Sequence, residues 1–134
     1  MELDLLNLDD IQPPHLLEDG TYKLEIMKEP EKKESKNNPG RFSIVVYLRA
    51  VDDPDAEMLS EYLTLPVADD KPDVVKMFGR RIKDFCTAFG IPFEGGSAKF
   101  ESAKGATGWA MVKKEYNEKM DREVNTCKRF ILPK

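Results

Sequence analysis

The spacing of apolar and polar positions changes along the chain and divides it into elements. After the turn signal Asp19-Gly20, Tyr22-Lys23-Leu24-Glu25-Ile26 alternates apolar and polar, as a half-buried strand should. Arg41–Val51 alternates over a longer run. Phe42, Ile44, Val46 and Leu48 share one face, and Ser43, Val45, Tyr47 and Arg49 share the other. Because Val46 and Leu48 continue the Phe42-Ile44 apolar set into the core, Tyr47 is expected to point outward. Met58–Leu65 reads as a third strand, stopped by Pro66. From Pro72 to Phe89 the period lengthens. Val74, Val75, Phe78, Ile82, Phe85, Cys86 and Phe89 fall at the spacing of an amphipathic helix. Pro72 suits its first turn, Gly90 suits the residue just past its end, and Pro92 prevents continuation.

Beyond a Gly95-Gly96 link, Gly105–Lys113 and Glu123–Leu132 read as a fourth and a fifth strand. Between these elements lie a charged loop at 28–40 ending in Asn38-Pro39-Gly40, a turn at Asp52-Asp53-Pro54-Asp55, and a second charged loop at 114–122. Residues 1–18, with Pro13-Pro14, read as an irregular acidic arm, and 19–134 as one domain. The order β-β-β-α-β-β predicts an all-β barrel with one helix, which is the order of the OB-fold. An SH3-like barrel would lack the long helix, and a ferredoxin-like fold would need two. In an OB-fold the recognition surface is the face of strands two and three, flanked by the 1–2 and 4–5 loops.

The 134 residues suffice for a single core without a metal or disulfide staple. No apolar run approaches the roughly 20 residues of a membrane span. Cys86 and Cys127 have no C-x-x-C partner and read as reduced, small apolar residues. The opening Met1-Glu2-Leu3-Asp4 is acidic where a secretory signal would be basic, so a cytoplasmic protein is expected.

The net charge of −4 argues against a nucleic-acid partner until its distribution is considered. Residues 1–20 carry six acids and 51–70 carry seven, with no Lys or Arg in either block. The rest of the chain sets 12 acids against all 21 bases and is net +9. Those basic segments could follow a phosphate backbone or simply be solvated faces. The first charged loop and its flank supply Lys28, Lys32, Lys33, Lys36 and Arg41, and the second supplies Lys114, Tyr116, Lys119 and Arg122. Between them stand Tyr47, Arg49, Tyr62 and Trp109. Basic loops framing exposed aromatics are what a single strand needs: phosphates want cations and unstacked bases want flat π surfaces. The candidate binding residues are therefore Lys33, Lys36, Arg41, Tyr47, Arg49, Tyr62, Trp109, Lys114 and Tyr116. The alternative for the aromatics is that they cap the barrel or pack against the arm. Lys76, Arg80, Arg81 and Lys83 on the helix read as solubilising.

Nothing in the sequence points to catalysis, a metal or another cofactor. The single His15 sits in the Pro-rich arm, no His/Cys/Asp cluster has ligand spacing, and there is no phosphate-binding Gly loop or nucleophile elbow. Asp52-Asp53-x-Asp55 is interrupted by Pro54 and lacks the calcium-loop pattern, so it reads as a turn.

From Leu17 to Leu132 the chain resembles the small bacteriophage single-stranded DNA-binding proteins. The resemblance rests on Glu18-Asp19-Gly20-Thr21-Tyr22, on Lys33–Lys36 leading to a Gly before a strand, and on Leu63-Thr64-Leu65-Pro66. It continues through Phe85-Cys86-Thr87-Ala88-Phe89-Gly90-Ile91-Pro92, Gly105 to Val112, and Val124-Asn125 to Phe130. It implies an OB-fold, sequence-tolerant single-strand binding without catalysis, and a role in phage DNA replication or recombination inside the infected bacterium. Expected partners are single-stranded DNA and the replication or recombination proteins that handle it. A homo-oligomer is compatible with the sequence, and no membrane is involved. One departure is that the chain closes on strand-like, basic Phe130-Ile131-Leu132-Pro133-Lys134 rather than on a flexible acidic tail. The acidic blocks favour a competing expectation, an OB-type adaptor for a phage replisome or an inhibitor of a host protein.

Overall fold

A computed structural model describes residues 1–11 and 13–133; Gln12 of the arm and Lys134 of the basic terminus lie outside the described residues. The fold is mostly antiparallel sheet with one helix. Its elements are β1 (Gly20–Ile26), β2 (Glu31–Glu34), β3 (Phe42–Ala50), β4 (Leu59–Thr64), α1 (Pro72–Phe89), β5 (Phe93–Glu94), β6 (Ser97–Ala98), β7 (Thr107–Asn117) and β8 (Arg122–Ile131).

The long, β-branched β3 organises the sheet. Leu24 and Ile26 of β1 lie opposite Ala50 and Leu48, and Glu31 and Glu34 of β2 lie opposite Val45 and Phe42 along the same edge. β1 and β2 are thus two halves of one bent strand, interrupted near Pro30, which has no N–H to donate. The other edge of β3 takes β4, from Ser43 opposite Thr64 to Leu48 opposite Leu59. β1 continues to β7, and β7 to β8. Three expectations are corrected here. The charged loop 28–40 contains β2, because the amide groups of Glu31–Glu34 find partners on β3 although none of their side chains is buried. The loop 114–122 is mostly strand, since β7 runs on to Asn117 against Arg122, leaving only a tight turn. The Gly95-Gly96 link is the turn of a small β5–β6 hairpin.

The core forms where the inward residues of the sheet meet the helix. Leu24, Ile26, Val46, Leu48, Leu59, Leu63, Ala110 and Val112 face Phe85, Cys86, Ala88 and Phe89 of α1. The Phe85 ring stacks on Phe89 at 4.7 Å and meets Phe130 of β8 edge-on at 5.2 Å. Cys86 and Cys127 are both free and buried, and desolvation pushes the Cys86 thiol up to about 11. Helix start and stop follow the sequence: Pro72 lies in the first turn, and Gly90 takes the left-handed conformation (φ 68°) that any side chain would strain. Gly108 is needed for another reason. A Cβ there would stand 2.6 Å from the Ala88 carbonyl and 2.9 Å from the Phe89 ring, so its absence lets the helix end rest on β7.

β4 and β8 lie side by side without a backbone ladder, and side chains span the seam. Glu61 alternates with Leu59 and Leu63, so it points inward, and its carboxylate accepts the Cys127 N–H of β8. Arg81 of α1 donates to Glu61 at 3.2 Å and to the Cys127 carbonyl at 3.0 Å, with its guanidinium 4.6 Å from the Phe130 ring centre. Desolvation pushes the Glu61 carboxyl above its usual range, against the opposing pull of the Cys127 N–H and Arg81. Arg81 thus pins helix and seam together, a structural duty in place of the solubilising one expected.

The arm is tied down at its inner end. The Glu57 N–H donates to the His15 carbonyl at 2.9 Å, and Asn125 brackets buried Leu17 by accepting its N–H and donating to its carbonyl. His15 Nε2 lies 2.7 Å from Asp53. Residues 1–11 are exposed and hold only a short 3-10 turn, Leu8–Asp10. No helix among the described residues is long and apolar enough to cross a membrane.

Candidate nucleic-acid interface

The face of β3 turned away from the core carries Ser43, Val45, Tyr47 and Arg49, the phase expected from the alternation. Val45 sits directly between Tyr62 of β4 and Glu31 of β2, and Ser60 lies opposite Tyr47. Tyr47 and Tyr62 are therefore diagonal neighbours on one surface, within reach of each other's rings in ordinary sheet geometry. Tyr62 is 61% exposed, whereas Tyr47 is half-buried. The Lys28 ammonium lies 4.7 Å from the Tyr47 ring centre, and Lys33 donates to the Tyr47 hydroxyl at 3.4 Å. That hydrogen bond, with the nearby Glu31 carboxylate, raises the Lys33 pKa and keeps the amine cationic. Val45, although on this outer face, is fully buried by its neighbours, so the surface is apolar at its centre, with Lys28, Lys33 and Arg49 around it interleaved with Glu25 and Glu31.

Arg49 adjoins this patch, opposite Glu25 of β1. Lys36 is exposed in the turn after β2. Trp109, 48% exposed, is on β7 between Lys23 of β1 and Ile131 of β8, with β1 separating it from the tyrosine pair. The remaining three candidates are engaged elsewhere. Arg41 makes a two-pronged pair with Asp70, both contacts at 2.7 Å, and also donates to the Leu65 carbonyl. It thereby holds the Asp70 carboxyl down at about 2. Lys114 pairs with Glu18 at 2.7 Å on the face of β7 crossed by the arm. Tyr116 donates its hydroxyl to Asp121, which raises the phenol pKa. By strand alternation Lys114 and Tyr116 point to the side opposite Lys113, Glu115 and Thr126. The structure therefore gathers Lys33, Tyr47, Arg49 and Tyr62, leaves Lys36 and Trp109 at the margins, and sets Arg41, Lys114 and Tyr116 apart.

Three features lie outside the candidate set. Lys28 covers Tyr47, and Lys23 stands beside Trp109, a position that its alternation with Tyr22 and Leu24 makes legible in the sequence. The third is a groove of ≈ 870 Å³ between β4 and the β7–β8 hairpin, running on from Tyr62 past Met58 and Ser60 to Val124 and Thr126. Its lining comes from strands 66 or so residues apart in sequence, as in the Cys127–Glu61 contact at its floor, so no local pattern marks it. Comparison with protein-family models and with curated proteins finds no match for this chain.

Proposed function

We propose that this chain is an OB-type barrel that binds single-stranded DNA with little sequence preference, as a non-catalytic phage replication or recombination protein of the infected bacterial cytoplasm. The fold reading is supported by the strand path, by β4 and β8 lying edge to edge, and by the helix entering between the strand that precedes the seam and the strand after it. The observation that carries the functional reading is the Tyr47–Tyr62 pair on one outer face with Lys28 and Lys33 at its rim. Bases can stack on the tyrosines while phosphates take the lysines. Lys28, now lying over the Tyr47 ring, would exchange that contact for a phosphate as a base arrives. Arg49 and Lys36 extend the cationic rim, and half-exposed Trp109 reports on a strand that continues across β1. The test is fluorescence titration of Trp109 with oligo-dT. Quenching that weakens with salt, log K falling by about 0.7 per phosphate neutralised and per decade of salt, supports the reading. No binding at low salt would refute it.

A second reading has its own observation. Leu3, Leu5, Leu6, Leu8 and Ile11 are all exposed in an arm that carries acids and no bases. That favours a protein-binding adaptor of a replisome or a host-protein inhibitor, and it would stand if DNA binding failed while a basic protein partner bound the arm.

A further inference from the structure

The groove beside Tyr62 lacks the surplus of positive charge that would draw in the phosphate backbone held by the neighbouring face. Glu57, Glu61 and Glu118 line it against Lys119 and Arg122, and Arg122 is already engaged by Glu57 at 2.9 Å. Glu61 is committed at the floor to Arg81 and the Cys127 N–H. Glu118 has no ion-pair partner among the described residues and stays a free acceptor at the mouth. A phosphate entering here would meet the unpaired Glu118 carboxylate, whereas a nucleobase is neutral and flat. The walls suit a base: Tyr62 and two exposed methionines, Met58 and Met120, offer aromatic and polarisable surface.

We infer that this groove takes nucleobases edge-first with their phosphates held outside, and that it favours bases bearing an exocyclic amino group over thymine. The inference rests on the single-strand reading above. An amino group donates to the Glu118 carboxylate. Thymine presents a carbonyl oxygen at the position where cytosine has its amine, and that oxygen is repelled by the carboxylate. Nothing in the argument concerns duplex DNA, because the base edge must be free to enter.

The experiment measures the affinity of the full chain for end-labelled oligo-dC and oligo-dT of equal length. One added hydrogen bond to a carboxylate predicts that dC binds about three- to tenfold more tightly than dT. Glu118→Gln, an exposed turn substitution whose thermal unfolding should match the parent's, should at least halve that ratio by weakening dC binding and relieving the repulsion of thymine. Equal binding of dC and dT by the unmodified chain, or a ratio that survives Glu118→Gln, overturns the groove assignment and leaves the tyrosine face standing. Failure to bind either oligonucleotide removes the single-strand reading and the groove's role with it.

Discussion

Tyr62→Ala separates a binding role from a structural one, because the structure makes the two costs very different. The side chain is 61% exposed and makes no hydrogen bond among the described residues. Its structural contribution is the cover it gives to Val45, directly opposite on β3. A cross-strand pair of this kind is worth about 0.2–1 kcal/mol, so the variant should unfold within about 1 kcal/mol of the parent. If a base stacks on Tyr62, its loss costs about 1–3 kcal/mol of affinity, roughly five- to a hundredfold in Kd. Tyr62→Phe keeps the ring and should retain affinity within about twofold. Anisotropy of a labelled oligo-dT, with thermal denaturation of the same preparations, reads both quantities. Unchanged affinity in a folded Tyr62→Ala protein would refute the stacking role. Affinity lost equally in Tyr62→Ala and Tyr62→Phe would instead implicate the hydroxyl, and the platform argument would fail.

Other consequences follow from the same contacts. Charge reversal at Lys33 and Lys36 together should weaken oligo-dT binding and flatten its salt dependence, while moving stability by less than about 0.5 kcal/mol for each exposed site; a collapse in melting temperature would mean that β2 depends on those side chains. Arg81→Ala leaves the Glu61 carboxylate at the seam without its cation; since the Arg81 side chain is itself 34% exposed, the cost should fall near the lower end for a broken buried pair, about 3 kcal/mol in urea unfolding. The Arg41–Asp70 pair predicts an acid limb. Asp70 is held at about 2 against an ordinary 3.8, so its stabilisation is complete above the unfolded value and is lost as pH falls from about 4 through 2. Asp70→Asn should therefore flatten the melting-temperature profile over that window, and an unaltered acid limb would count against a stabilising role for the Arg41–Asp70 pair.

How much of this was legible in the sequence depends on whether a residue's role is set locally. The helix bounds and the phase of β3 were readable because Pro72, Gly90 and the Phe42–Leu48 alternation carry their own signals. β2 was not, since Glu-Lys-Lys-Glu has no apolar position and becomes strand only because β3 offers its edge. The far end of β7 is not legible for a related reason: Lys114–Asn117 extends past the core, so no buried apolar position marks it. Glu61 could have been read, because it alternates with Leu59 and Leu63, but its acidity suggested a surface. In sequence Arg41 and Lys114 look like binding cations because their partners, Asp70 and Glu18, are brought to them only by the tertiary fold, the latter from 96 residues away. The tyrosine face needed only strand parity. The groove required knowing that β4 and β8 meet.

The central claim is that the face of β3 and β4 holds an unpaired strand, and competition tests it most directly. A labelled oligo-dT bound to the full chain is challenged with unlabelled single strand and with duplex of the same length at one fixed salt concentration. The account predicts that the single strand displaces the label at far lower concentration, because only unpaired bases present the faces that Tyr47 and Tyr62 can stack upon. Equal displacement by duplex would contradict it, reducing the interaction to phosphate attraction by the basic rim.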